Sequence, residues 1–248
     1  MTSNSTPAGS ARNPYAHFEQ RLTDALGLTR RPVAIAFRDA PPPGVPPIIG
    51  AQPSSCSFWR LAAEGRSFHT VAADHYNCPI GSYTHNIPLP PDREPELMQT
   101  LSLMAGIGYI RMEEIPGVPR LPQTPAAIVY SPLSDAVTEP DVVLVSGRPG
   151  RLMLLHEAAT RAGTSALPLL GRPTCMAIPA AMTGGVASSL GCVGNRIYTG
   201  IADDEFYTVV SGRDLAAVVE QLGAIQTANA TLADYHQARK LSIAASVN

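Results

Sequence analysis

Four cysteines are the residues of this chain best suited to chemistry, and they fall into two pairs. Cys56 and Cys78 bound the stretch CSFWRLAAEGRSFHTVAADHYNC, with 21 residues between them, and Cys175 and Cys192 bound CMAIPAAMTGGVASSLGC, with 16. Each stands in or beside a turn-forming segment with glycine close by. Soft thiolates select zinc or iron–sulfur centres over hard cations. Zinc sites are usually built from short Cys-x-x-Cys knuckles, and the chain has none. The crowded cysteine runs of small ferredoxins are absent too. Widely spaced thiolates on turn-rich loops favour a [4Fe–4S] cluster. Such a cluster is bulky, its sulfides accept backbone N–H bonds, and the chain wrapped round it needs positions without a Cβ. The residues leave other readings open: unrelated buried thiols acting as small hydrophobes, a disulfide or redox thiol pair, or a zinc-stabilised structural protein.

Other groups attach to this expectation by proximity. Gly65, Gly81, Gly184 and Gly194 are the glycines expected to crowd a cofactor. Arg196, four residues beyond Cys192, would offset its negative charge. Arg60 lies four residues beyond Cys56, on the same helix face, and would meet a substrate carboxylate. His69, His75 and His85 surround Cys78. His85 shares its turn-rich segment and is the expected proton carrier, with Asp204 of ADDEFY as a second. SGRPGRL joins a strand to a helix, where backbone N–H groups with Arg148 and Arg151 would suit an anion, but it lacks the ending of a phosphate loop. No nucleophile elbow and no His-Glu-x-x-His occurs, so the usual hydrolase and metalloprotease readings have no footing.

If all four thiolates bind, a cluster moves electrons or senses redox state. If three bind, the open iron acts as a Lewis acid, giving a lyase, hydratase or desulfurising enzyme. The expectation leans to the enzyme. Its alternative is a metal-free small-molecule-binding or redox-sensing module.

The elements that must position these groups are those of a mixed chain. At 248 residues it suffices for one large domain or two small lobes. Charged residues are 15% and the net charge is −2, which gives no electrostatic reason to expect nucleic acid or an anionic membrane. No apolar run approaches the roughly 20 residues of a membrane span. The opening residues lack the apolar core of a signal peptide. A cytoplasmic protein is expected, where thiols stay reduced, with a small-molecule substrate or an electron-transfer partner and assembly into a homo-oligomer.

Residues 1–13 read as a disordered arm. HFEQRLTDALGL places Phe18, Leu22, Ala25 and Leu26 at helical spacing before Gly27. VAIAF, SFHTVAA, GYIRMEEIP, AAIVYSPL and PDVVLVSG read as strands. SFWRLAAEG, residues 92–106 and RPGRLMLLHEAATRAG read as helices. RIYTGIADDEFYTVVSG reads as a strand pair or a strand and a turn. The chain closes on one or two helices with Asp214 as N-cap. An α/β or α+β layer fold follows.

A faint internal repeat adds to this. PVAIAF and DVVLVS are comparable strands. Cys56 and Cys175 are each followed nine residues later by glycine, and each half then holds a second cysteine beside a glycine. Two similar lobes, about 14–125 and 126–248, would pack about a pseudo-two-fold axis and bring four sulfurs together.

Five blocks carry a resemblance: LTRRPVAIAF, CSFWRLAAEGRSF with DHYNCPIG, PDVVLVSGRPGRLMLL, SLGCVGNR and IADDEFYTVV. Together they resemble the domain-of-unknown-function family numbered one hundred and sixty-nine, uncharacterised ArCR-type proteins, over roughly Leu22 to Leu222. The resemblance implies a soluble prokaryotic protein with cysteines matching Cys56, Cys78, Cys175 and Cys192, and it names no activity. Two departures fall in candidate site loops: CPIGSY in place of a Gly-Gly pair, and RPGR in place of Pro-x-Gln.

Overall fold

The computed structural model describes residues 13–246, with the side chains of 168–170 left aside. Residues 1–12 of the expected arm therefore lie outside the described residues. Asn13 belongs to the fold: its Oδ1 accepts the N–H of Tyr15 at 3.1 Å and its Nδ2 donates to the carbonyls of Ser134 and Ala136. It caps α1 (Pro14–Leu26), which ends at Gly27 in the left-handed conformation (φ 59°).

The order continues through β1 (Val33–Arg38), α2 (Cys56–Ala63), β2 (Phe68–Thr70), α3 (Pro79–Thr84), α4 (Glu94–Gly106), β3 (Ala127–Pro132), β4 (Val142–Gly147) and α5 (Pro149–Arg161). It closes with β5 (Ala166–Leu170), α6 (Ala177–Met182), β6 (Val186–Ser189), α7 (Val193–Thr199), β7 (Phe206–Ser211) and α8 (Leu215–Ala245). All seven strands form one mixed sheet in the order β2-β3-β1-β4-β7-β6-β5, antiparallel except for the β5–β6 pair. Among the described residues no helix is long and apolar enough to cross a membrane.

Side chains alternate between the two faces of a strand, and here the alternation sorts the core. Ala34, Val143, Val145 and Val210 point to the face covered by α1, α5 and α8. Val33, Ile35, Val142, Leu144 and Val209 point to the other, where they meet Phe58, Trp59, Ile178, Cys56 and Cys175. The cysteine-bearing segments therefore share one side of the sheet. α2 packs on α7, and α3 packs on the 3₁₀ turn Thr174–Met176.

The expected lobes meet one unbroken sheet. The boundary near residue 125 falls before β3, yet β3 pairs with β1 and β2 of the first half. The strand order on either side of the central β1–β4 pair is similar in kind. β1 is joined to β3 and β3 to β2; β4 is joined to β7 and β7 to β6. β5 is added outside this pattern.

Three local expectations differ. GYIRMEEIP was expected as a strand, but Met112–Gly117 is a 3₁₀ turn with Pro116 inside it, where the missing N–H leaves no ladder to join. RIYT lies in α7, and only FYTVVS is strand. The close is a single helix. Asp214 stands at its start but spends its carboxylate on the N–H of Gly185, at 2.7 Å, tying β6 to α8 rather than capping.

Candidate functional site

Each cysteine sits where the chain enters a helical turn. Cys56 opens α2 and Cys175 lies in the 3₁₀ turn before α6. Cys78 and Cys192 occupy the N-cap positions of α3 and α7. Pro79 follows Cys78 at the first helical position, where its fixed φ suits the turn and its missing N–H costs nothing.

Hydroxyl groups stitch each pair. Ser54 Oγ accepts the N–H of Cys56 at 3.3 Å and lies 3.6 Å from Cys78 Sγ. Thr174 Oγ1 accepts the N–H of Cys192 at 2.6 Å. Gly81 completes the first corner: a Cβ there would lie 2.4 Å from Ser55 Oγ and 2.9 Å from Cys78 Sγ, so only glycine fits.

All four cysteines, with Gly81 and Gly194, line one cavity of about 400 Å³. Its walls are mainly apolar. Leu97, Leu101 and Met104 of α4 belong to the lining, and Arg111, Glu114 and Arg172 add charge. Arg172 stacks on the ring of Tyr109 at 4.2 Å, joining the segment after α4 to the loop before Cys175. Glu114 pairs with Arg111 at 2.9 Å, which holds its carboxyl below the usual carboxylate range.

The sulfurs feel one another. Burial pushes the Cys56 thiol well up, the charges of Cys78 and Cys192 push it further, and hydrogen bonding to Asn195 and Ser54 opposes this. Burial likewise raises Cys175, with Cys56, Cys78 and Cys192 adding and Thr84 opposing. These two thiols are therefore neutral near pH 7 on their own, and a metal binding them displaces protons. All four are free thiols, so the disulfide reading is not what the chain builds. Among the described residues, no three or more His, Cys, Asp or Glu side chains form a group that could hold a metal ion.

The remaining expected residues are scattered. Gly65 (φ 105°) and Gly184 (φ 112°) are not among the residues that line the cavity; they lie in the turns that lead from α2 into β2 and from α6 into β6. Arg196 donates to the carbonyls of Ala202 (2.7 Å), Glu205 (3.0 Å) and Leu190, stapling the loop after α7 instead of facing the thiols. Arg60 pairs with Glu64 at 2.8 Å along α2. Asp204 is exposed and pairs with Arg148 at 3.0 Å, which engages the arginine of the expected anion site.

His85 is fully buried behind the cavity wall. Its Nδ1 lies 2.7 Å from the carbonyl of Gly81 and its Nε2 has no partner. Burial pushes its pKa down to about 4, so it is neutral near pH 7. His75 is held between Ser55 Oγ (3.0 Å) and Thr70 Oγ1 (2.8 Å), and burial pushes it well down. His69 Nδ1 lies 2.9 Å from the carbonyl of Val45. None of the three lines the cavity.

Three contributors were not foreseen. Ser54 and Thr174 were visible as hydroxyl residues just before the first cysteine of each pair. Asn195 carried no distinguishing signal, yet it lines the cavity, is buried to 1% exposure, and has no hydrogen-bond partner of ordinary geometry on either amide atom.

Comparison with known proteins agrees with the resemblance. The chain belongs to the DUF169 family of uncharacterised ArCR proteins, whose model matches residues 21–221. No curated protein and no solved structure matches it.

Proposed function

We propose that this member of the family holds one [4Fe–4S] cluster on Cys56, Cys78, Cys175 and Cys192, and that it acts on a small molecule in the adjoining cavity. One observation carries the reading: the only four cysteines of the chain, drawn from four separate segments, line a single cavity.

The donor set suits the group, since four thiolates are the usual ligands of a cubane cluster. Two further features support the fit. Gly81 presses against Cys78 where no Cβ fits, and the buried amide of Asn195 lacks a full partner beside the thiols.

A bound cluster would supply electrons when fully ligated, and a Lewis-acidic iron when one corner is free. The chain's own residues provide a mainly apolar chamber of a size that suits a small molecule, with a few polar groups to orient it. A lyase, hydratase or desulfurising reaction is the finer reading. A cytoplasmic setting, which keeps thiols reduced, agrees with four free cysteines.

The test is purification without oxygen. A brown protein with visible absorption and about four iron and four sulfide per chain supports the cluster. A colourless protein with stoichiometric zinc replaces it with a structural site. A colourless, metal-free protein leaves a small-molecule-binding module.

A further inference from the structure

Asn195 is the third residue of α7, three beyond Cys192. Its side chain is buried among the thiols, and neither amide atom makes a hydrogen bond of ordinary geometry. Buried polar atoms without partners are uncommon in folded proteins and call for an explanation. Asn195 lines the cavity together with Cys56, and its amide is within interaction range of the Cys56 thiol and the Tyr207 hydroxyl. Tyr207 is already engaged, donating to Thr199 Oγ1 at 3.0 Å. Gly191 makes room for the carboxamide, since a Cβ there would lie 3.2 Å from Asn195 Oδ1. The group is thus held beside a sulfur that does not satisfy it.

The chemistry of sulfur accounts for this. A neutral thiol is a weak acceptor, whereas a metal-bound thiolate carries charge and accepts a stronger, shorter bond. We propose that Asn195 is the positioning residue of the thiol centre: its Nδ2–H donates to the Cys56 thiolate when the cluster is bound and stabilises the reduced state. This rests on the cluster reading above. Reduction adds negative charge to the cluster and its sulfurs, so a donor aimed at one of them favours the reduced form and raises the potential. The buried Tyr130 hydroxyl also lies within electrostatic reach of Cys56, Cys175 and Cys78, with Thr70 beside it.

The experiment compares the full chain with Asn195→Leu and Asn195→Asp, all purified without oxygen, by iron and sulfide content and by redox titration. Leucine nearly keeps the volume and removes the donor; aspartate keeps the shape and replaces the donor with charge, and it carries the test if the leucine variant fails to fold. The expected result is loaded variants whose reduction equilibrium is at least tenfold less favourable, a shift of about 59 mV to more negative potential for one electron. Loaded variants with the potential of the unaltered chain overturn the role of Asn195 and leave the cluster standing. An unaltered chain without iron and sulfide overturns both.

Discussion

Thr174 Oγ1 accepts the backbone N–H of Cys192 at 2.6 Å, so the residue beside one cysteine fixes the start of the helix that presents another. Thr174 is itself buried and lines the cavity. Replacing it by valine keeps the shape but strands the N–H of Cys192. The bond is part-buried and Cys192 half-buried, so losing it costs about 0.5–1.5 kcal/mol. Thr174→Val is expected to lose that much stability in urea denaturation and, on the proposed cluster reading, to retain less iron, while Thr174→Ser keeps both. Equal iron in the valine variant would separate this hydrogen bond from the centre.

The two glycines that line the cavity make a contrasting pair. At Gly81 a methyl group would press on Ser55 Oγ and Cys78 Sγ, whereas at Gly194 the nearest atom is Tyr198 Cε2, 3.7 Å away. Gly81→Ala is expected to cost about 1–3 kcal/mol through overpacking and to displace Cys78, with a fall in bound iron. Gly194→Ala should fold and load as the unaltered chain does. The reverse order, measured by melting temperature and iron content, would contradict the geometry.

Single Cys→Ser variants test the ligand set. With four thiolates bound, each of Cys56→Ser, Cys78→Ser, Cys175→Ser and Cys192→Ser lowers iron and sulfide per chain and changes the visible spectrum. If one variant keeps a full cluster, that corner is open, and the Lewis-acid role becomes the stronger one.

Acid should weaken the fold through His85. Its pKa in the fold is about 4, against an ordinary 6.5. Between these values the unfolded chain binds the proton and the folded one does not, so stability is complete above about pH 6.5 and falls as the pH drops towards 4. The loss approaches about 3 kcal/mol for this group alone, and His75, also pushed down, adds in the same direction. Denaturation at pH 7 and pH 4.5 should show a smaller difference for His85→Gln than for the unaltered chain. An unchanged difference would place the acid sensitivity elsewhere.

Asp204 and Arg148 form an exposed pair, of a kind that contributes about 0–1 kcal/mol. Asp204→Asn is expected to leave iron content unaltered and stability within that margin. A loss of bound iron in this variant would bring the carboxylate back to the centre.

Much of the layout was legible because it follows from local rules. Gly27 ends α1 where a residue with positive φ is needed, and the short apolar runs VAIAF and DVVLVSG mark β1 and β4. Other segments misled for equally local reasons. GYIRMEEIP has strand-like residues, but Pro116 withholds a ladder hydrogen bond. Asp214 has the chemistry of a cap but a nearer donor in Gly185. The roles expected for Arg60, Asp204 and Arg196 were assigned by nearness along the chain. Their partners Glu64, Arg148 and the carbonyls around Ala202 occupy them in space.

The sequence by itself determined the family, the mixed layering and the identity of the four sulfurs, because composition, periodicity and residue type are properties of the chain read in order. Only the tertiary structure decided that those sulfurs line one cavity, that His85 is buried outside its lining, and that the Asn195 amide is buried at that cavity without a hydrogen bond of ordinary geometry. The reason is physical: which groups meet depends on a seven-strand sheet that brings residues more than a hundred positions apart onto one face. Burial, which keeps the Cys56 and Cys175 thiols and the His75 and His85 rings neutral, exists only once that face is covered.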